Sequence, residues 1–247
     1  MKNEAWKEGW YYLIGPMHEC INDVWMKGEI PEKLKQGIDQ PIHEKGEESK
    51  LENYRGISLM DVEYKIYTEI LRNRLVGELE EKRCLDDTQM GYRPGRGPMD
   101  AVYVLKTGIK NEIRKPKGKA YVMFADVKGA FDEVKREELW KKIEEMGISK
   151  QLRVRIEELY EETRSKIVVN KKVIGRLRMR NGVRQGCPLS EVLFNILKAD
   201  LENTMKKTHD GGIVIGMKKI WTVGYADDVA LIANDEEGIR SMMKTYK

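Results

Sequence analysis

The sequence has 247 residues, of which 40% are hydrophobic and 35% are charged. This size and composition suit one domain of two subdomains or two small domains, and they exclude an intrinsically disordered chain. No apolar run approaches the roughly 18 residues of a membrane helix, and the N-terminus lacks an apolar signal region. We therefore expect an intracellular protein with no membrane partner. Cys20, Cys84 and Cys187 show neither a disulfide framework nor a zinc-site spacing.

Positive charge is concentrated in one part of the chain. The net charge is only +4, from 45 Lys and Arg against 41 Asp and Glu, which does not demand a nucleic-acid partner. Residues 163–190, however, contain no acidic side chain. The basic residues of this stretch are Arg164, Lys166, Lys171, Lys172, Arg176, Arg178, Arg180 and Arg184. Either a solvated basic hairpin or a phosphate-contacting surface fits this distribution.

The first half of the chain is predicted to form three helices separated by loops. The first helix should end near Gly28, and the polar residues 46–53 should form a loop. Asp61 can cap the second helix. Residues 91–98 should be irregular because Gly and Pro alternate there, and the third helix should begin at Pro98. Its predicted apolar face consists of Val102, Leu105, Ile109 and Ile113.

The second half combines short strands with helices. Residues 120–125 form an apolar run between turns and predict a buried strand that stops at Asp126. Two further strand-like runs flank Tyr225-Ala226-Asp227-Asp228, and Asp235 should cap a last helix. The remaining predicted elements are helices at 133–146, 150–162 and 189–206, a hairpin at 166–179 that turns at Asn170-Lys171, and the two strands at 219–224 and 229–233.

The carboxylates at the ends of these strands suit metal chemistry. If the strands are neighbours, Asp126, Asp227 and Asp228 converge at one rim of a sheet. Such a cluster repels itself, and a cation site explains it best. Phosphoryl transfer to a 3′-hydroxyl uses two Mg²⁺ ions about 3.5–4 Å apart, held by hard oxygen ligands. An Asp-Asp pair alone, however, is more often an ordinary turn, so the surrounding motifs decide the interpretation.

Five motifs follow one another along the chain. They are NYRGISLMDVEYKIYTEILRNRL (53–75), QMGYRPGRGPMDAV (89–102), FADVKGAFDEV (124–134), NGVRQGCPLSEVLFNILKADL (181–201) and YADDVALIA (225–233). In this order they resemble the fingers and palm of a reverse transcriptase from a non-LTR (LINE- or jockey-type) retrotransposon. The resemblance extends from about residue 25 to the C-terminus.

The resemblance implies an α+β fold with the fingers and palm of a right-hand polymerase. It places an N-terminal helical extension at residues 1–29, the fingers at 30–118 and the palm at 119–247. The palm should be a small antiparallel sheet backed by the helices at 133–162 and 189–206, with the metal site on its open side.

The resemblance also implies roles for individual residues. Asp126, Asp227 and Asp228 match the catalytic, metal-binding carboxylates, and Val127 would offer its backbone carbonyl to a metal ion. Phe131 matches the aromatic steric gate, whose ring would exclude a ribose 2′-hydroxyl; a core aromatic is the alternative.

Further matches concern the nucleotide and the template. Arg55 matches the fingers arginine that grips the triphosphate, a task that suits a planar guanidinium. Gln185 and Gly186 match the loop that contacts the incoming nucleotide. Gly91 and Arg93 match a segment that touches the template, although a simple surface arginine is an alternative for Arg93.

The implied activity is that of an RNA-directed DNA polymerase. The primer 3′-hydroxyl would attack the α-phosphate of a dNTP, with two Mg²⁺ ions, which Mn²⁺ can replace, as cofactors. The implied partners are an RNA template, a DNA primer and a dNTP, and the resemblance suggests a nuclear location.

The sequence also departs from the family pattern. Glu44 stands where many relatives have a lysine, although Lys45 can substitute, and Glu191 replaces a proline. The chain ends before the family's primer grip and thumb, so we expect a fragment lacking the thumb or a decayed copy. A catalytically inactive nucleic-acid-binding remnant is therefore the main alternative. A nucleotide cyclase and a group II intron-type reverse transcriptase are further alternatives.

Overall fold

The structure is a computed structural model that describes residues 3–126 and 129–246. The chain divides into two compact units. Unit one comprises Met1–Glu78 and Phe131–Ser190, and unit two comprises Leu79–Ala130 and Glu191–Lys247. These boundaries differ from those predicted for the fingers and palm, and that functional assignment stays a prediction.

The described residues form helices and strands, which mostly follow one another in pairs or longer runs of the same kind. The helices are α1 (Asn3–Lys27), α2 (Val62–Glu81), α3 (Pro98–Ile113), α4 (Arg136–Glu145), α5 (Lys150–Tyr160), α6 (Pro188–Lys198), α7 (Leu201–Lys207) and α8 (Glu236–Tyr246). The strands are β1 (Gln36–His43), β2 (Tyr54–Leu59), β3 (Tyr121–Ala125), β4 (Arg164–Val169), β5 (Lys172–Arg178), β6 (Ile213–Ile215), β7 (Lys218–Ile220), β8 (Thr222–Tyr225) and β9 (Asp228–Ala233).

Most predicted elements are confirmed. The β4–β5 hairpin turns at Asn170 and Lys171, with φ angles of 50° and 63°, as a two-residue turn requires. Asp235 caps α8 by accepting a hydrogen bond from the Gly238 amide at 2.6 Å. The single helix predicted at 189–206 is wrong, because α6 ends at Lys198 and α7 begins at Leu201. The single strand predicted at 219–224 is also wrong, because β7 ends at Ile220 and β8 begins at Thr222 in another sheet. Strands β1, β2 and β6 were not predicted.

The sheet of unit one has the strand order β2-β1-β4-β5. Strand β1 runs antiparallel to β2 and parallel to β4, and Ile38 lies opposite both Leu59 and Lys166. Side chains alternate between the two faces of a strand. One face buries small residues such as Gly37, Ser58 and Ser165. The opposite face is largely exposed; it carries Arg55, Leu59, Ile38, Ile42, Arg164, Arg176 and Arg178.

Two buried arginines stabilise the interior of unit one. The Arg184 guanidinium donates to the Lys35 carbonyl and lies 4.9 Å from the centroid of the Tyr64 ring. Arg136 donates to the carbonyls of Tyr160 at 2.7 Å and Gly182 at 2.8 Å. The inclusion of Arg184 in a basic surface is therefore wrong, because its side chain is fully buried.

The sheet of unit two has the order β3-β9-β8, with all strands antiparallel. Helix α3 contributes Ala101 to a core cluster that contains Val223 and Ile232. Helices α7 and α8 contribute Met205 and Met242 to a second cluster, with Val229, Leu231 and Ala233. Core residues thus lie on both faces of this sheet, although Phe124 of β3 is exposed; the open side for the metal site stays a prediction. Strand β9 is apolar on both sides after Asp228, which is typical of a strand buried on both faces.

The predicted inner face of α3 is partly wrong. Val102 and Ile113 are exposed, whereas Ala101 and Gly108 are buried. A Cβ atom at Gly108 would collide with the Ile213 side chain. Helix α3 therefore packs through its small residues, which let β6 approach closely. Within the described residues, no helix combines the length and apolar character that crossing a bilayer requires.

Candidate active site

The carboxylates of the YADD segment lie at the tip of the β8–β9 hairpin. Tyr225 pairs with Asp228, so Ala226 and Asp227 form a two-residue turn. Ala226 is buried and has a φ of 56°. A left-handed conformation costs a residue with a Cβ atom about 1–2 kcal/mol. Such strain persists only where the surrounding structure holds the backbone in place.

The segment that holds this turn runs from Thr88 to Gly91. The Gly224 amide donates to the Thr88 carbonyl at 2.9 Å, and the Met90 amide donates to the Gly224 carbonyl at 2.8 Å. Gly91 lies directly against Ala226, because a Cβ atom at Gly91 would collide with the Ala226 amide nitrogen. Gly91, predicted to touch the template, therefore supports the turn; its contact with a template stays a prediction.

Asp126 reaches the same end of the sheet from strand β3. Ala125 pairs with Val229, so the antiparallel register places the next residue, Asp126, opposite Asp228. Asp126 and Asp228 are exposed, and Asp227 is half-buried. The structure thus brings the three predicted carboxylates to one end of one sheet. Val127, the predicted carbonyl ligand, lies outside the described residues.

These carboxylates do not form a preassembled metal cluster. In the part of the chain that the structure describes, no three His, Cys, Asp or Glu side chains are grouped closely enough to hold an ion. The donors are nevertheless the hard oxygen atoms that Mg²⁺ prefers, and they stand on adjacent strands. The donor chemistry fits a divalent cation, whereas the convergence of all three carboxylates on one point stays a prediction.

The loop predicted to contact the nucleotide is anchored within unit one. The Val183 amide donates to the Phe131 carbonyl at 2.8 Å, and the Ser58 amide donates to the Gln185 carbonyl at 2.9 Å. Gly186 is exposed and has a φ of 99°. Phe131 and Gln185 therefore belong to one hydrogen-bonded assembly that also includes strand β2, and Gly186 directly follows Gln185.

Gly182 is a residue of this loop whose importance was not predicted. Its φ is 78°, and a Cβ atom there would lie 2.9 Å from the Asp132 carbonyl oxygen. Its amide donates to the Val134 carbonyl at 2.8 Å. The glycine itself could have indicated this role, since a backbone position with a positive φ that lies close to another backbone segment favours glycine.

Arg55 lies on β2 and pairs with a carboxylate. Its Nε atom is 2.8 Å from Glu44 Oε1, and both side chains are about half exposed. Ile42 and Arg55 are cross-strand partners, which brings Glu44 close to Arg55. The acidic residue that departs from the family pattern thus neutralises the arginine predicted to grip the triphosphate.

Arg93 is buried and bound by protein groups. Its Nε and Nη2 atoms donate to the two carboxylate oxygens of Glu80, both at 2.7 Å, and Nη1 donates to the Asp86 carbonyl at 2.6 Å. The hydrogen bond from Arg93 holds the pKa of Glu80 below its usual value. This bidentate pair gives Arg93 a structural role, and its contact with a template stays a prediction.

Comparison with known proteins identifies the family. Residues 42–247 match the family model described as reverse transcriptase (RNA-dependent DNA polymerase). The chain belongs to the reverse transcriptase family. Members of this family generally use divalent metal ions.

Relatives of this reverse transcriptase chain come from transposable elements. A Pol polyprotein of the type-1 retrotransposable element R2 of Nasonia vitripennis is 30% identical over 77% of this chain. A probable RNA-directed DNA polymerase of transposon BS of Drosophila melanogaster is 30% identical over 82%, and a 149 kDa protein of transposon TX1 of Xenopus laevis is 26% identical over 90%. The predicted resemblance to non-LTR retrotransposon reverse transcriptases is confirmed. The chain spans 18%, 22% and 17% of these relatives, respectively.

Solved structures show the same fold. The apo telomerase of Candida tropicalis superposes with a TM-score of 0.60 at 14% identity, covering 94% of this chain and 46% of that one. The telomerase of the same organism in complex with a TWJ fragment of telomeric RNA gives 0.59 at 13% identity, covering 92% and 41%. The predicted α+β polymerase fold is confirmed.

The structure adds Lys198 to the carboxylate end of this reverse transcriptase sheet. Its Nζ atom donates to the Asp227 carbonyl at 2.6 Å and lies 4.6 Å from the centroid of the Phe194 ring. Burial lowers the pKa of Lys198 to about 8, although Asp227, Asp228 and Asp126 act to raise it. Lys198 was not predicted, because a lysine at a helix end usually has a solvated charge.

Proposed function

We propose that this chain carries the catalytic core of an RNA-directed DNA polymerase, which adds dNTPs to a primer 3′-hydroxyl. The observation that carries the proposal is the register of β3 and β9. It places Asp126 opposite Asp228, beside the Asp227 turn, in a chain of the reverse transcriptase family. A nuclear location is part of the proposal by resemblance alone.

The carboxylates of Asp126, Asp227 and Asp228 would hold two Mg²⁺ ions, which Mn²⁺ can replace. When bound, these ions would stabilise the attacking 3′-oxygen and the leaving pyrophosphate. The chain itself contributes a rigid platform, because a buried, hydrogen-bonded turn presents Asp227. A well-positioned group loses little free energy to reorganisation during the reaction.

Unit one would bind the incoming nucleotide. Arg55 has a planar guanidinium that can donate two parallel hydrogen bonds to phosphate oxygens, in competition with Glu44. Phe131 would discriminate against a ribose 2′-hydroxyl, while Gln185 and Gly186 would contact the base pair being formed. Their backbone anchors on Ser58 and Val183 support such a role, because they fix the loop.

The exposed sheet face of unit one would bind the template and primer. A groove of about 300 Å³ there is lined by Arg164, Lys166, Arg176 and Arg178, among others. Clustered basic side chains bind phosphates through counterion release, which makes the affinity salt-dependent. One of the similar telomerase structures is a complex with an RNA fragment, which supports an RNA partner for this fold.

Primer extension on an RNA template with Mg²⁺ and dNTPs tests the proposal. Asp227→Ala should reduce extension at least roughly 100-fold, since it removes a preorganised charge from the reacting centre. Asp210→Asn is the matched control, because Asp210 is an exposed aspartate of the same unit. Extension by Asp227→Ala at the wild-type rate would contradict the mechanism.

Primer extension also tests the alternative that the chain is a catalytically inactive, nucleic-acid-binding remnant. That alternative predicts salt-sensitive nucleic-acid binding with no incorporation by the wild-type chain. The nucleotide cyclase alternative has no support, because the family match includes the fingers motifs at 53–75 and 89–102.

A further inference from the structure

Helix α6 ends beside the carboxylate turn (residues 225–228), where Lys198 binds the turn itself and Asn195 binds Gly91, which packs against it. Asn195 and Lys198 are three residues apart and therefore share a helix face. The Asn195 Nδ2 atom donates to the Gly91 carbonyl at 2.7 Å, while Lys198 Nζ donates to the Asp227 carbonyl at 2.6 Å. Their neighbours Leu193 and Ile196 are fully buried, which fixes the orientation of the helix.

Lys198 places a positively charged group at a half-buried position. Its ammonium group is half-buried beside the Phe194 ring, and the hydrogen bond that it donates ends on a carbonyl. Within residues 3–126 and 129–246, no ion pair joins Nζ to Asp126, Asp227 or Asp228. The three carboxylates nevertheless act electrostatically on this group. Among the described residues, Lys198 therefore leaves the oxygen atoms of these carboxylates free of an ion pair with its own ammonium group.

A purely structural role would not require this charge. A neutral amide could donate a hydrogen bond to the Asp227 carbonyl, whereas partial burial of an ammonium group carries a desolvation cost. The nearby carboxylates and the C-terminal end of α6 offset that cost, since both favour a cation. The positive charge therefore belongs to the electrostatics of the carboxylate turn.

We propose that Lys198 is an internal counter-cation of the carboxylate turn. It positions Asp227 through its backbone carbonyl and weakens the binding of divalent cations by Asp126, Asp227 and Asp228. This inference rests on the proposed function, because it takes these carboxylates as the metal ligands. Lys198 is a positioning residue that acts through the carboxylate turn.

The test is a titration of the full chain with Mn²⁺, in which electron paramagnetic resonance measures the free ion. Lys198→Met and Lys198→Gln should bind Mn²⁺ roughly 5- to 10-fold more tightly, a coupling of ordinary size between two sites. Lys198→Arg keeps the charge and should match the wild type. Lys207→Met is the matched control, because it removes one exposed positive charge from the same unit.

Unchanged or weaker Mn²⁺ binding by folded Lys198→Met and Lys198→Gln would overturn the inference. Circular dichroism establishes folding, and Lys198→Gln retains a donor for the Asp227 carbonyl. Loss of folding in both neutral variants would also overturn it, because the charge would then serve the fold. Asp227→Asn separates the two proposals: if it binds Mn²⁺ as the wild type does, the proposed metal site itself fails.

Discussion

The carboxylate turn of unit two and the exposed sheet face of unit one carry their candidate residues in different ways. In the turn, the strained residue Ala226 packs against Gly91, while hydrogen bonds from α6 hold Gly91 and the Asp227 carbonyl. On the sheet face, Arg55 and Arg176 are exposed, and Arg55 pairs with the half-exposed Glu44 carboxylate. Packing and hydrogen bonds therefore fix the residues of the turn. The side chains of the sheet face are positioned by charge interactions that solvent screens.

This difference predicts two kinds of response to substitution. Packing and buried hydrogen bonds contribute more free energy than exposed ion pairs. Changes at the turn should therefore alter stability and activity together. Changes on the sheet face should alter affinity alone, by small and salt-dependent amounts.

The largest effect is expected for Gly91→Ala. The added methyl group would collide with the Ala226 amide, and overpacking of this kind costs about 1–3 kcal/mol. The free energy of unfolding from urea denaturation should fall by that amount, and primer extension should fall with it. Gly77→Ala is the control, because outside the local backbone of α2 no atom of the described residues lies within 4 Å of the added carbon; it should stabilise the helix. Equal stability of the two variants would contradict the enclosure of the turn.

A smaller loss of stability is expected for Glu80→Gln. It breaks the bidentate pair with Arg93, at a cost of about 1 kcal/mol, since Glu80 is partly exposed and solvent screens the pair.

Because the pKa of Glu80 is lowered in the folded state, its contribution to stability is fully present above its unfolded pKa. The contribution is lost as the pH falls through the lowered folded pKa. Urea denaturation at pH 7 and pH 3 checks this: the difference from the wild type should shrink at the lower pH. A difference that stays constant would count against the pairing.

On the sheet face, Glu44→Gln should increase affinity. Removing the carboxylate frees the Arg55 guanidinium for a triphosphate, and an exposed ion pair is worth at most about 1 kcal/mol, or roughly five-fold in affinity. Isothermal titration with a dNTP measures the change. Glu47→Gln removes a neighbouring exposed carboxylate that pairs with Lys50 and should leave the affinity unchanged. The same increase in both variants would show a general charge effect and no role for the Glu44–Arg55 pair.

The smallest effect is expected for Arg176→Gln. Arg176 is exposed on β5 and lines the basic groove. One lost phosphate contact should lower the slope of log affinity against log salt by about 0.7 for a single-stranded RNA. Fluorescence anisotropy at several salt concentrations measures this slope, with Lys207→Gln as the control. An unchanged slope would show that Arg176 does not contact a phosphate of the bound RNA.

Much of the fold could be predicted from the sequence, because the spacing of apolar residues indicates which side chains of a helix or strand are buried. Helix α2, the β4–β5 hairpin and the strands around Asp227 follow this rule. Strand β1 does not, because Gly37 and Pro41 interrupt an already polar segment. The break between α6 and α7 was also missed, since Leu197 and Leu201 keep the helical spacing of apolar residues across it.

The candidate site was only partly predictable for a related reason. The order of motifs identified Asp126, Asp227 and Asp228, and strand pairing brings them to one sheet end. Lys198 and Gly182 act through contacts that depend on how distant segments pack. A lysine near a helix end and a glycine in a loop each have many ordinary explanations, and the structure decides among them.

The β3–β9 register joins carboxylates from two distant segments, so substitution of Asp126 is a test of that register. Asp126 is far from the YADD turn in sequence, and the strand register alone places it opposite Asp228. Incorporation of labelled dNTP on an RNA template with Mg²⁺ should be as low for Asp126→Asn as for Asp227→Ala. Incorporation by folded Asp126→Asn at the wild-type rate would show that the two strands do not form one catalytic site.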